Sequence, residues 1–503
     1  MRVPLKLALG LNLTGRFWAG AASFLATPLY LHWLGRENFG LVGFCLLLQA
    51  ALGFVSTGLA DAANRKTAAA EQAGPAAVAE QQLLFIHLAW LTGVALGVVL
   101  AALSGWLARH WLNLEHVSAD SAQRAIQWMA VLIALQVPID LFTGVFLGAR
   151  RHLAANCTLA GGATLRALFT VGALVFVERS IGAYFAAQIA ASAITVATAW
   201  LTLRRSSLRP AGAAWRLTWP GLRDSFHSTR GMTAVAFTSV LLSLADRIIL
   251  SRFLPLDEFG IYSLAVTLAN LLYFLISPVS ATFYPEFSRC IAEGRKDRLI
   301  ELYHQACQCM ALLIFPAGCI MIFFSRDILD LWTRNGSVAA EAAPVVAVLV
   351  ATRMIGALNT IPYALQYAHG WVSMILGFNT AAIAVLLPVL CYLAIQFGAI
   401  GAASGYFLIS LPFLAGIVWR MHRRLLQGEA AAWLWRDTAP ALGLAALVAG
   451  AWKYLEPAGF ARGGQLLWLF LASAVTLGLV LLANPMARRQ GGKLFPFLKA
   501  TPP

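Results

Sequence analysis

Apolar runs of about 20 residues follow one another along the whole of this sequence. That length lets a helix cross a hydrocarbon layer of roughly 30 Å. In lipid the backbone has no water to bond, so each run must satisfy its own N–H and C=O groups, and helices do this. Fourteen spans can be placed: 7–31, 39–63, 83–108, 125–148, 153–177, 181–203, 230–254, 260–284, 302–325, 342–366, 371–396, 399–420, 438–455 and 465–484. Only 12% of the residues are charged, where soluble domains carry roughly 25%. The expected fold is an all-α polytopic membrane protein with about 14 transmembrane helices.

A net charge of +15 raises the question of nucleic acid, and the placement of the charge answers it. The basic residues sit in short loops on one side of the spans: Arg65 and Lys66, Arg150 and Arg151, Arg204 to Arg230, Arg289 to Arg298, Arg420 to Arg436, and the tail from Arg488. Roughly 24 of the Lys and Arg residues lie on that side and about 9 on the other, the bias that holds basic loops in the cytoplasm. Both termini are therefore expected inside. No basic face studded with aromatic residues and no nucleic-acid motif accompanies the charge, so nucleic acid is not an expected partner. Seven scattered cysteines form no disulfide framework, and Cys307-Gln308-Cys309 lacks the second pair of a metal site and reads as buried thiols. The first apolar segment is too long for a signal peptide, contains Arg16, and is expected to remain as the first helix.

The chain repeats itself. Leu34-Gly35-Arg36-Glu37-Asn38-Phe39-Gly40-Leu41, between the first two spans, returns as Leu254-Pro255-Leu256-Asp257-Glu258-Phe259-Gly260-Ile261. Ser180-Ile181-Gly182-Ala183 is echoed by Ala399-Ile400-Gly401-Ala402. An even number of spans separates the copies, so the two halves start on the same side and the repeat is parallel. The expected organisation is an N-lobe over 1–205 (spans 1 to 6), a basic cytoplasmic linker over 206–229, a C-lobe over 230–424 (spans 7 to 12), and an extra helix pair with a cytoplasmic tail over 425–503. No loop is long enough for a soluble catalytic domain.

Four arginines fall inside spans: Arg16, Arg166, Arg247 and Arg353. At 1.5 Å per residue, Arg16 lies about 14 Å and Arg166 about 20 Å from the inner face. An arginine facing lipid at mid-depth costs about 2.5–3.5 kcal/mol, so these side chains are expected to face the bundle interior. The acids at similar depth are Asp140 and Asp246. Asp246 cannot simply neutralise Arg247, because helix neighbours point about 100° apart. The interior keeps a surplus of positive charge, which an anionic substrate would match through bidentate guanidinium contacts. The plainer reading of each arginine is a structural pair or a snorkelling side chain. Asp140 and Asp246 are possible ion or proton coupling sites, or structural partners. Asn359, Gln366, Asn379 and Thr380 read as hydrogen-bonding groups between helices.

No phosphate loop, paired catalytic carboxylates or metal-ligand spacing appears, so neither catalysis nor a cofactor or metal is expected. The hairpin from Thr27-Pro28-Leu29-Tyr30 through Leu34–Leu41, and Thr57-Gly58-Leu59-Ala60-Asp61-Ala62-Ala63-Asn64-Arg65 after it, resemble the opening of bacterial polysaccharide flippases. These belong to the multidrug/oligosaccharidyl-lipid/polysaccharide (MOP) exporter superfamily, and Phe259-Gly260 and Ile400-Gly401-Ala402-Ala403 fit the same pattern. The resemblance implies two six-helix lobes about a central cavity with alternating access. It implies an undecaprenyl-pyrophosphate-linked oligosaccharide flipped across the bacterial inner membrane for surface polysaccharide such as O-antigen or exopolysaccharide. A polysaccharide polymerase and chain-length machinery would be partners. The extra helix pair resembles the fourteen-helix lipid II flippases. The alternatives are a multidrug/organic-cation antiporter of the same superfamily, which would want carboxylates and aromatics in its cavity, and an integral-membrane polymerase or ligase, which would want a large external loop.

Overall fold

The computed structural model describes residues 5–70, 75–205, 219–457, 459 and 461–485. Nearly all of these are helical, and among them β structure amounts to a single isolated bridge between Asn113 and Pro255. Fourteen long helices follow the fourteen apolar runs. They are α1 Leu5–Leu34, α2 Arg36–Ala70, α3 Pro75–Trp106, α4 Ala119–Gly148, α5 His152–Phe176, α6 Ile181–Arg204 and α7 Trp219–Phe253. There follow α8 Leu256–Ala292, α9 Lys296–Phe323, α10 Gly336–Ala368, α11 over 372–397, α12 over 399–425, α13 Ala439–Tyr454 and α14 Arg462–Ala483. Among the described residues ten helical stretches can cross a membrane by length and composition, with α11 and α12 counted together. The protein is a multi-pass membrane protein. Apolar side chains such as Phe176, Val177 and Leu447 point outward, as lipid-facing residues do.

The helix ends have local causes. Ser118 caps α4 by accepting the Ser121 N–H, and Ser180 caps α6 by accepting the Ala183 N–H. α11 and α12 are continuous except at Gly398, whose φ of 60° and ψ of −141° suit only glycine. There the chain doubles back. A Cβ on Gly401 would lie 2.2 Å from the Leu393 carbonyl oxygen, so the two arms approach as closely as backbones can. The span expected from 230 belongs to a helix that starts at Trp219, within the stretch read as linker; Pro220 is tolerated in a first turn, where its missing N–H costs nothing. Residues 206–218 of that linker, and the basic tail from Arg488, lie outside the described residues.

The chain divides into two compact units. Unit 1 comprises Met1–Arg230 and Ser243–Ser263; unit 2 comprises Gly231–Leu242 and Leu264–Pro503. In unit 1, α4 is central and packs on α2, α3, α5 and α6. Its Val137, Ile139, Leu141, Phe142, Val145 and Phe146 fill the core against Ala63, Phe85, Ile86 and Ala199. In unit 2, α9 is central and packs on α8, α10, α13 and α14.

The 243–263 piece brings the second copy of the repeated turn into unit 1 beside the first. A Cβ on Gly40 would meet the Leu256 carbonyl oxygen at 2.0 Å, and one on Gly260 would meet the Arg36 carbonyl oxygen at 2.8 Å. Phe39, Leu41, Phe259 and Ile261 are all buried there. The segment after α3, a π-helical turn at Leu107–Trp111 and the residues that follow it, fastens both turns. Its Asn113 carbonyl accepts the Leu256 N–H at 3.0 Å, and its Trp111 indole donates to Ser251 Oγ at 3.0 Å. Glu37, at the start of α2, accepts the N–H groups of Glu115, His116 and Val117 at 2.9–3.0 Å.

Candidate functional site

Arg166 is carried by α5, just past a π-helical turn at Cys157–Gly161. The extra residue in such a turn rotates the following side chains relative to a regular helix. The guanidinium comes near Asp140 on α4, Tyr30 on α1 and Tyr184 on α6, so four helices of unit 1 converge on it. The two tyrosine rings meet edge to face, with centroids 5.2 Å apart. Asp140 does not close a direct ion pair with it. One Asp140 oxygen accepts the Ser56 hydroxyl, and the other accepts Gln136 Nε2 at 2.7 Å. Arg166 Nη1 is buried and has no hydrogen-bond partner among the described residues. A buried donor of a charged group without an acceptor is costly, of the order of 1–3 kcal/mol or more, and an anion supplied by a ligand would relieve it.

The other sequence-derived positions are distributed differently. Arg16 lies on α1, which adjoins α5 through a Trp18 indole to Thr164 Oγ1 bond of 2.9 Å, and its side chain is exposed. On α7, Asp246 is buried and accepts the Tyr262 hydroxyl of α8 through Oδ2. Its Oδ1 and the Nε of Arg247 are buried without a hydrogen-bond partner among the described residues. Asp246 thus turns to Tyr262 and not to its neighbour. Arg353 belongs to unit 2, where it is buried on α10 with its guanidinium 5.4 Å from the centre of the Tyr273 ring, a favourable cation–π placement. Unit 1 therefore brings Arg166 and Asp140 together, places Arg16 on an adjoining helix, and holds Asp246 and Arg247 on α7.

Asn379 on α11 donates to Ser239 Oγ at 2.9 Å and Thr238 Oγ1 at 3.2 Å on α7, while Gln366 is fully buried with neither amide atom bonded among the described residues. No group of His, Cys, Asp and Glu suited to holding a metal ion occurs among the described residues.

A family model described as polysaccharide biosynthesis protein matches residues 10–291, more than half of the chain. The chain belongs to this family, within the MOP superfamily. A second family model, MatE, matches residues 232–393. Among solved structures, the lipid II flippase MurJ in an inward closed conformation aligns with a TM-score of 0.71 at 10% identity, covering 93% of this chain and 98% of that one. An inward-facing multidrug resistance MATE family transporter of the MOP superfamily aligns with a TM-score of 0.70 at 12% identity, covering 80% and 95%. A MOP superfamily transporter from Pyrococcus furiosus, described as having a binding pocket of reversed polarity, aligns with a TM-score of 0.57 at 13% identity, covering 84% and 97%. No curated protein sequence matches the chain. At these identities the structural likeness concerns the fold. Membership of the family makes the protein a transporter or flippase connected with polysaccharide biosynthesis.

One polar group escaped the sequence reading. His304 on α9 lies between Asp437 and Glu429, which precede α13. The only signal in the sequence was an acid, Asp437, at the edge of an apolar run.

Proposed function

We propose that the protein translocates undecaprenyl-pyrophosphate-linked oligosaccharide units across the bacterial inner membrane, by alternating access, for surface polysaccharide synthesis. The observation that carries this reading is Arg166, whose buried Nη1 has no hydrogen-bond partner among the described residues while the oxygens of Asp140 accept from Ser56 and Gln136. A phosphate or acidic sugar suits such a side chain, because guanidinium binds these groups through paired, charge-assisted bonds. Family membership supplies the biosynthetic context. In this reading Arg16 and Arg166 meet the headgroup first, and Arg247 and Arg353 act later on the path. Asp140 offsets part of the Arg166 charge from nearby without bonding to it, and the termini lie in the cytoplasm.

The test replaces Arg166 by alanine and by lysine, and Arg353 by alanine, at matched membrane levels. Arg166→Ala is expected to lower polysaccharide export at least tenfold, and Arg166→Lys to restore it only in part, since lysine keeps the charge and loses the planar fork. Normal export in both alanine variants defeats the proposal. The MatE match over 232–393 favours a second reading, an antiporter of organic cations. Drug resistance conferred by the wild type and strengthened by Arg166→Ala would select that reading instead.

A further inference from the structure

The buried polar group of unit 2 stands apart from these arginines. His304 projects from α9 with its side chain only 7% exposed. Its Nδ1 meets Asp437 Oδ2, and its Nε2 lies 2.9 Å from Glu429 Oε2. The Asp437 side chain is wholly inaccessible, and its second oxygen accepts Gln308 Nε2 at 2.6 Å and Arg436 Nε at 3.0 Å. Around the imidazole stand the Tyr303 ring at 5.5 Å, and beyond it His422, whose Nδ1 donates to the Val418 carbonyl. Cys307, buried on α9, also lies within the field of Asp437. Glu429 is 30% exposed and connects the group to solvent.

The contacts fix a proton count. An ionised carboxylate only accepts, and a neutral imidazole has one N–H. Two ring nitrogens facing two carboxylates therefore need one proton more than a neutral histidine and two carboxylates provide. With that proton, His304, Arg436, Asp437 and Glu429 sum to zero charge. Without it, a buried negative charge remains and a nitrogen lone pair faces a carboxylate, an arrangement that burial makes costly.

We propose that His304, Asp437 and Glu429 form a proton-binding site that fastens segment 429–438, and with it the C-terminal helix pair, to α9. Bound, the proton makes His304 an imidazolium shared by the two acids. On release it passes from Nε2 to Glu429 Oε2 and then to water, leaving a neutral ring whose remaining N–H stays on Asp437. Because the proton belongs to the fastened state, fastening is strongest at low pH and weakens as pH rises through the range where the proton leaves. The occupied site thus ties cytoplasmic or local proton activity to the position of α13 and α14.

The experiment uses the full chain in lipid nanodiscs with ¹⁵N-labelled histidine, the His304 signals being those lost in His304→Gln. Both ring nitrogens are expected to carry protons in the fastened protein, and Nε2 to lose its proton when the segment is released on alkalinisation. Hydrogen–deuterium exchange, corrected for intrinsic rates, is expected to show 429–438 losing protection over the same pH range. That response should vanish in His304→Gln and in Glu429→Gln, the second of which keeps the side-chain shape and leaves His304 itself intact. A His304 ring that carries a single N–H while segment 429–438 is fully protected overturns the proposal. So does a pH response of 429–438 that survives either substitution.

Discussion

Three backbone N–H groups converge on the carboxylate of Glu37, which accepts from Glu115, His116 and Val117 and is itself buried. Such bonds to a charged acceptor contribute about 1.5–3 kcal/mol each. Glu37→Ala strands all three donors, and is expected to destabilise unit 1 by about 2–3 kcal/mol. A thermal melt in detergent should show a midpoint several degrees lower, with Glu37→Gln intermediate. In the sequence Glu37 was visible as an acid in a turn, and Arg166 and Asp140 as charges within apolar runs. What the sequence could not supply was their partners. Glu37 bonds residues some eighty positions away, and His304 reaches an acid 133 positions away. Residue type marks a site, whereas the partner depends on which helices meet.

Among the elements, the α1–α2 turn and its copy before α8 carry the tightest constraint. Leu256 leaves no room for a side chain at Gly40, where a Cβ would overlap a backbone oxygen. Gly53 and Gly58, further along the same helix, face open space. Gly40→Ala is therefore expected to weaken the turn contact and lower the melting midpoint, while Gly53→Ala should be neutral or slightly stabilising, since alanine favours helix by about 1 kcal/mol over glycine. Equal midpoints for the two variants would mean that the close approach contributes nothing. The helices themselves were legible because each leaves a one-dimensional signature, an apolar run closed by polar residues. The run read as 181–203 is Ile181–Arg204, and that read as 399–420 is the arm 399–425. Contacts between helices leave no such trace, because lipid-facing and helix-facing positions are equally apolar.

For the whole molecule, the C-terminal pair is an integral part of unit 2. α13 and α14 pack on α9, Gln308 Nε2 donates to Asp437, and Asn484 Nδ2 donates to the Gln308 carbonyl at 3.3 Å. A chain ending after Leu425 would strand His304 and Gln308, so it is expected to accumulate poorly in membranes and to melt well below the full chain. A truncated protein as stable as the full chain would make the pair a mere appendage.

The repeated turns also speak to how such a chain arises. With a spacing of 220 residues, position 40 answers to 260 and position 36 to 256. Gly40 closes on 256 and Gly260 closes on 36, so the contact is reciprocal. That is the signature of an isologous interface, in which one patch recognises its own twin. A half-length ancestor carrying only one such turn could have closed the same contact on a second copy of itself. Joined in one chain, the two halves differ in their charges, while the glycines that let the twins touch are present in both.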